Sequence, residues 1–528
     1  MWKPQAILLL LFVLASCEAK SPAPKKLKIV GVFGHLGKSH FDVFQLLLEE
    51  LARRGHDLTA ISHFPRTEKA IKAEPLPNYK DIDLRDDKQG VFVNVVDLRV
   101  IDHSILRIFK ELYFLSDMSA VACELALTNP KVKELVASGQ KFDVVLTESF
   151  NTDCFMVLVH KFNAPIIEIS THQLMPWAID HMALSNEASY IPGMLTRQPR
   201  PMNFMGRVWN TVTIAFMTAL YNTVFHSRAQ AIAEREFGPD IPNLSEVSRN
   251  VTLMLVNTHY TLHGSIPFPP NVVEIGGMHI SPKTNPLPKD IAKFLDEAHE
   301  GVLYFNLGSM VKAATMPPEK LDALLKMFAS IPRKVIWKWE IDDLPKLSSN
   351  VLVKKWLPQS DILTHPNVKC YFGHGGLLGL SEGVHRGVPM VLMPFFGDQY
   401  QNAIAAQARG VAIVVKFDEM SEATLKNAVD EIFNNTRYME NARKLSKAFR
   451  DRPMTPLDTA VWWTEYIGRG NGLPYVRSER VNMSWVARNL VDVAAFLIAI
   501  VLLALYILYR YINHLFSRNQ MKKYKKID

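Results

Sequence analysis

A chain of 528 residues, 48% of them hydrophobic, exceeds one ordinary domain and is too apolar for a disordered segment, so two domains with added apolar segments are expected. Its formal charge of +8 is concentrated at one end, where residues 510–528 hold Arg510, Arg518, Lys522, Lys523, Lys525 and Lys526 against Asp528 alone. An excess so placed is an orientation signal and excludes a nucleic-acid footprint.

Residues 1–19 carry Lys3, the apolar block Ile7–Leu14, then small residues around Ala15, Cys17 and Ala19, the order of a secretory signal peptide. Removal of Cys17 leaves three cysteines, an odd count without regular spacing, which reads as no disulfide framework and no metal site. Residues 27–62 then give a strand (Leu27–Phe33), a glycine-containing loop, an amphipathic helix (Phe41–Arg54) and a second strand (Leu58–Ser62). The loop, Gly31-Val-Phe-Gly34-His-Leu-Gly37-Lys38-Ser39-His40, approaches two phosphate-binding patterns and matches neither. A dinucleotide fingerprint needs glycines at positions one, three and six, whereas here they fall at one, four and seven; a Walker A loop needs its first glycine where Val32 stands. What remains is His40 at the mouth of the first strand, where open α/β sheets place ligands.

Further strands are expected at Phe142–Thr147, Pro165–Ile169, Gly301–Asn306, Lys334–Trp339, Val351–Lys355, Lys369–Phe372 and Pro389–Phe395, each followed by helical pattern. Such alternation argues for two open parallel sheets wound on both faces. The apolar stretch Val208–Phe225 is interrupted by Asn210, Thr211, Thr213, Thr218, Tyr221 and Asn222, so it reads as a helix over an apolar pocket or on a membrane surface, and not as a span. Apolar residues around Met175, Trp177, Phe204 and Trp209 suggest a lipophilic pocket. A proline-rich segment without apolar period marks a linker at 281–290, between an N-terminal domain at 27–280 and a C-terminal domain at 291–450.

In the second half, the strand Lys369–Phe372 runs into Gly373-His374-Gly375-Gly376-Leu377-Leu378-Gly379-Leu380-Ser381-Glu382. Glycines at a strand-to-helix turn let the backbone approach a ligand, and a helix N-terminus offers free N–H groups and a positive dipole end to an anion. Glu382, seven residues past Gly375, lies roughly 10 Å along the helix at ~1.5 Å per residue, where a carboxylate can accept from a ribose hydroxyl. Upstream, Trp356-Leu-Pro358-Gln359 offers an indole face and an amide; downstream, Asp398-Gln399 ends a strand with two groups able to grip sugar hydroxyls.

Residues 451–489 are read as C-terminal helices packing back and a juxtamembrane segment. Leu490–Tyr509 carries one charge, Asp492, and is long enough to cross a ~30 Å hydrocarbon core. The basic tail at 510–528 then faces the cytosol and the rest the lumen. The ending Lys525-Lys526-Ile527-Asp528 resembles the dilysine signal of endoplasmic-reticulum membrane proteins. Sequons at Asn243, Asn250 and Asn434 are glycosylation candidates, and a fourth at Asn482 stands close to the span.

Trp356-x-Pro358-Gln359, His374-Gly-Gly-x-x-Gly-x-x-Glu382, and Gly387-Val-Pro389 ahead of Asp398-Gln399 together resemble the signature of the UDP-glycosyltransferase family of eukaryotic lipophile conjugation. Asn306-Leu-Gly-Ser309, the segment Arg450–Ala460, the signal, the span and the tail extend the likeness over nearly the whole chain, and Glu274-Ile-Gly-Gly-Met-His279 with Leu377-Leu378 brings it nearest the insect branch. The resemblance implies a two-domain GT-B fold, with a UDP-sugar in the C-terminal domain and a small lipophilic acceptor in the N-terminal one. By it, Trp356 stacks on uracil, Gln359 and Glu382 hold uridine, Ser309, His374 and the Gly375 and Gly376 amides bind diphosphate, Asp398 and Gln399 hold the sugar, and His40 is the general base. Two positions depart from the pattern. Leu378 stands where many relatives have Asn, and the acid that orients the base is either Glu148 or Asp153. The donor is a co-substrate, so no cofactor and no metal are expected. The insect likeness favours UDP-glucose over UDP-glucuronate. The rival reading is a silent relative that binds lipophiles or partners at the membrane, against which the retention of His40, Glu382, Asp398 and Gln399 argues. A homo-oligomer is left open.

Overall fold

The computed structural model describes residues 25–85, 96–101, 107–281, 283–470 and 474–524. The expected signal at 1–19 and the dilysine ending at 525–528 lie outside the described residues.

The strands are β1 (Lys28–Phe33), β2 (Asp57–Ser62), β3 (Tyr79–Asp83), β4 (Val96–Asp97), β5 (Val144–Glu148), β6 (Ile166–Ser170), β7 (Leu253–Val256), β8 (Val272–Glu274), β9 (Val302–Asn306), β10 (Val311–Lys312), β11 (Lys334–Lys338), β12 (Val351–Lys354), β13 (Val368–Gly373), β14 (Met390–Leu392) and β15 (Ala412–Val414). The helices that matter below are α1 (Lys38–Arg53), α2 (Arg107–Thr128), α3 (Phe204–Leu220), α4 (Leu377–Arg386), α5 (Gln399–Ala408), α6 (Pro456–Arg469) and α7 (Val491–Tyr524). The first sheet has seven strands in the order β3-β2-β1-β5-β6-β7-β8, and the second has six in the order β12-β11-β9-β13-β14-β15. Neighbouring strands in both are parallel.

Parallel sheets bury both faces, and the strand sequences show it. In β1, Val30 and Val32 enter one core while Ile29 and Phe33 enter the core on the opposite face. In β9, Leu303 and Phe305 divide from Val302 and Tyr304 in the same way. Burying each such side chain contributes roughly 1.5–3 kcal/mol, which outweighs the modest β-propensity differences between them. Strand order reverses between β1 and β5 in one sheet and between β9 and β13 in the other, and ligand crevices open beyond the carboxyl ends of strands at such reversals.

The structure corrects several expectations. β3, β4, β7, β8, β10 and β15 were not expected; β3 reads Tyr-Lys-Asp-Ile-Asp, a half-polar edge strand whose pattern the alternation rule misses. Cys123 and Cys154 form a disulfide, with Cα atoms 5.9 Å apart, and Cys370 is the buried free thiol. An odd count excludes a complete pairing but does not exclude one bond, and only packing of α2 against the turn Asp153–Phe155 reveals it. Met175 and Trp177 are core residues, the Trp177 ring lying flat on Tyr221 at 4.2 Å, while Phe204 and Trp209 face outward, so these four do not line a pocket.

In α3 two of the interrupting polar residues, Asn210 and Thr213, face inward. The Asn210 amide donates to the Ala188 and Ile191 carbonyls at 2.8 and 2.9 Å and accepts from Gly193 N–H, tying down a loop. The outer face shows Phe204, Met205, Val208, Trp209, Val212 and Phe216. Segment 283–288 carries no helix or strand. Beyond the second sheet, α6 returns to the first: Arg54 bonds Asp458 at 2.7 Å, and a Cβ on Gly468 would meet Leu27 and Val144. The residues from 477 on form a separate unit, in which α7 is one continuous helix whose most apolar 18 residues have a mean hydropathy of 2.8. The helix therefore runs on through the basic residues of the expected tail up to Tyr524.

Candidate active site

His40 stands in the first turn of α1, which Gly37 caps without a side-chain hydrogen bond. Its ring reaches across the β1–β5 reversal, and Nδ1 lies 2.5 Å from Glu148 Oε1 at the end of β5. Thr171 Oγ1 sits 3.2 Å from the same nitrogen and 3.4 Å from the same carboxylate oxygen. A carboxylate on Nδ1 fixes the Nδ1–H tautomer and leaves Nε2 as the basic atom. Asp153 is committed elsewhere, to the Tyr221 hydroxyl at 2.6 Å and to His226 at 3.7 Å. Of the two acids the sequence left open, Glu148 is the one on the imidazole.

Three neighbours that sequence reasoning did not assign complete this wall. The His35 ring stacks on His40 at 4.1 Å, Phe150 lies at 5.0 Å and His172 at 6.1 Å. Burial, reinforced by His40, holds His35 well below the usual histidine range, and burial with His40 takes His172 down to about 3. Both therefore stay neutral and add no charge beside His40. One nitrogen of His35, one of His40 and a Glu148 oxygen lie within 4.8 Å of one another, a trio able to hold a divalent cation, although His35 Nδ1 already accepts from Gly37 N–H. His35 shares the loop that drew attention to His40; Thr171 and His172 carry no sequence signal.

The second reversal carries a turn able to hold an anion. Gly375 adopts φ +82°, and a Cβ on Gly376 would strike the His374 ring, so the turn is built for close backbone approach. α4 starts at Leu377 with no side-chain cap, leaving N–H groups for a ligand. Burial, with Lys338 nearby, lowers His374 to about 4, making it a neutral hydrogen-bonding ring, and its Nδ1 is buried without a partner. Ser309 lies in the turn after β9, whose Gly308 carbonyl accepts from the buried Lys338 at 2.5 Å. Lys338 carries no sequence signal.

Gln359 donates to Glu382, while its oxygen accepts from Asn306 Nδ2 at 2.7 Å and the Tyr304 hydroxyl at 3.2 Å. Gln359 thus orients Glu382. Burial raises the Glu382 carboxyl to about 7, with the Gln359 bond only partly offsetting it and Asp42 of α1 adding to the rise. The Trp356 indole, 70% exposed, offers an open face. Leu378 departs from the family pattern for a visible reason: it packs against the first sheet's core, and its carbonyl accepts from His279 at 3.2 Å.

Asp398 accepts from Asn402 Nδ2 at 2.7 Å; burial raises its carboxyl, partly offset by Asn402 and by charge interaction with His40. His40 and Asp398 therefore lie near enough for their charges to interact. Gln399 is nearly buried, and its oxygen caps its own turn by accepting from Phe395 N–H at 2.9 Å and Phe396 N–H at 3.3 Å, so only its NH₂ group is left for a sugar. A narrow cavity lined by Leu174, Pro176, Ile179, Ile191, Ile214 and Phe268 opens beside the 172–174 segment.

Two parallel doubly wound sheets, one carrying His40 on Glu148 and the other a glycine turn at a helix N-terminus, have the architecture of the GT-B class. The fold is similar to the calicheamicin glycosyltransferase CalG4, with a TM-score of 0.58 at 17% identity over 84% of this chain and 99% of that one. Residues 35–526 match the family described as UDP-glucoronosyl and UDP-glucosyl transferase. The chain is 37% identical to UDP-glycosyltransferase UGT5 of Dactylopius coccus, over 91% of this chain and 90% of the relative. It is 34% identical to UDP-glucosyltransferase 2 of the same insect, over 98% and 99%. The chain belongs to the UDP-glycosyltransferase family, in the hexosyltransferase class.

Proposed function

We propose that the protein transfers a hexose, glucose in preference to glucuronate, from its UDP ester to a hydroxyl of a small lipophilic acceptor with inversion. The observation that carries this is His40 Nδ1 on the buried Glu148 carboxylate, with Asp398 near the imidazole. His40 Nε2 takes the acceptor O–H proton as that oxygen bonds to the anomeric carbon. The bond from that carbon to the β-phosphate oxygen breaks, and its electron pair leaves with UDP. The developing charge meets the N–H groups at the start of α4 and the His374 ring. Trp356 stacks on uracil, Glu382 accepts from the ribose, Ser309 and the Gly375 and Gly376 amides complete the diphosphate site, and Asp398 with the Gln399 amide holds the sugar. The acceptor enters by the cavity at Leu174 and Ile214. A glucosyl-named insect relative supports glucose, and the family description spans both sugars.

The test is a panel of UDP-sugars with one phenolic acceptor, read by mass shift, for the native chain and His40→Ala. UDP-glucose is expected to give the fastest transfer, and His40→Ala a loss of about 10²- to 10⁴-fold with UDP still bound. Near-normal transfer by the variant would remove His40 from the mechanism. A faster reaction with UDP-glucuronate would reverse the donor assignment.

The apolar span in α7 supports membrane anchoring, and we place the catalytic domains in the lumen of the endoplasmic reticulum, with the apolar outer face of α3 against the membrane surface. The Cys123–Cys154 bond fits an oxidising compartment, and Asn243, Asn250 and Asn434 are exposed for glycosylation. A drop in apparent mass on enzymatic deglycosylation, lost when all three are changed to Gln, is expected; an unglycosylated microsomal protein would argue against the lumenal side.

A further inference from the structure

The turn that carries Asp398 and Gln399 belongs to the second sheet, yet side chains and backbone from the first half of the chain grip it on both sides. Glu111 of α2 accepts from the Gly397 N–H and pairs with Arg107 at 2.8 Å. The Tyr400 ring, next in line after Gln399, lies 3.1 Å from the Arg197 guanidinium and 5.2 Å from that of Arg107. Gln401 Nε2 donates to the Gln198 carbonyl at 3.0 Å. Arg197 holds this position from a left-handed backbone, φ +56°, a conformation that residues with a Cβ adopt only when their surroundings impose it.

We propose that Arg197 and Tyr400, with Arg107 and Glu111, form an interdomain clamp that sets the position of the sugar-holding pair Asp398–Gln399, so that the acceptor domain controls engagement of the donor's sugar. The clamp rests on the donor-sugar role proposed for Asp398 and Gln399. A guanidinium over an aromatic face is attracted by the ring quadrupole, and more strongly when partly removed from water, as here. Burial lowers the Arg197 guanidinium to about 10, so it is still a cation at neutral pH. The groups assigned to uridine and diphosphate sit on other elements, Trp356 and Gln359 after β12, His374 after β13 and Glu382 in α4. Arg197 and Tyr400 are therefore positioning residues chiefly for the sugar, and losing them costs affinity for UDP-sugar more than affinity for UDP.

The experiment uses the full chain in detergent micelles, with Arg197→Asn, chosen because Asn tolerates the left-handed backbone, together with Tyr400→Ala and Tyr400→Phe. Hydrogen exchange of the peptide spanning 396–402 is read beside KM for the UDP-sugar and Kd for UDP. Arg197→Asn and Tyr400→Ala are expected to speed exchange in that peptide and raise KM roughly three- to thirty-fold, with UDP affinity within about two-fold of native. Tyr400→Phe keeps the ring face and stays near native in all three. Unchanged exchange in both disruptive variants overturns the clamp, as does an equal loss of UDP and UDP-sugar affinity. If exchange responds as expected while the native chain transfers no sugar, the proposed function falls and the clamp on the turn stands.

Discussion

At His40 every polar contact serves orientation. Glu148 and Thr171 take Nδ1, and neutral His35 and His172 flank the ring without competing for a proton. Glu148→Gln, which keeps the shape but removes the charge that stabilises the imidazolium, is expected to lower kcat by about 10²- to 10⁴-fold with donor KM nearly unchanged. Asp153→Asn is expected to leave kcat within a few-fold and to lower stability by about 1–3 kcal/mol, because it disturbs the Tyr221 and His226 bonds. Steady-state kinetics and chemical denaturation of the two variants decide the assignment. Glu382 makes a pH prediction. Burial first, with Gln359 opposing, puts its carboxyl at about 7 against an ordinary 4.5, so the protonated form gains population as pH falls through 7. A protonated carboxyl no longer accepts from both ribose hydroxyls, so donor KM should rise as pH falls from about 8 to about 6, approaching ten-fold per unit at the acid end. A KM–pH profile for native and Glu382→Gln checks this; the variant's profile should be flat.

Among the elements, α2 has two duties, tied to one another by its length. Its first turn supplies Arg107 and Glu111 to the clamp, and its last third carries Cys123, bonded to Cys154 ahead of the helix Met156–Phe162. Closing a loop of 31 residues in the unfolded chain is worth about 2–4 kcal/mol. The double change Cys123→Ala and Cys154→Ala should lower the denaturation midpoint accordingly, whereas Cys370→Ala should shift it less, and equal shifts for the two would deny the bond its part. In α3, the pattern that rules out a span is the placement of polar residues: Asn210 and Thr213 lie on the buried side and the large apolar residues lie outside. The helix then widens into a π turn at Tyr221–Phe225, and the Tyr221 hydroxyl reaches Asp153.

Across the whole molecule, two sheets turn their strand-order reversals toward one cleft, so that His40 senses Asp398 and Asp42 senses Glu382 over the gap. Strand and helix periods alone marked the strands that flank both reversals, though not their order: β1, β2, β5, β6, β9, β11, β12, β13 and β14 are where apolar runs of strand length occur, because residues buried on both faces must be apolar whatever the partner strand. The glycine turn before α4, the Trp356–Gln359 segment, Glu382 and Asp398-Gln399 were also legible, since ligand-binding turns need particular residue types at fixed local spacing. Contacts over long sequence separations were not. That Glu148 and not Asp153 meets His40, that Cys123 meets Cys154, that Leu378 packs against the other sheet and that Arg197 covers Tyr400 follow from three-dimensional adjacency. Local sequence thus determined most of the elements, the apolar C-terminal helix and the kind of donor, because periodicity and turn chemistry act over a few residues. Which side chains share the cleft was decided only when close packing of the two sheets brought distant segments within hydrogen-bonding reach.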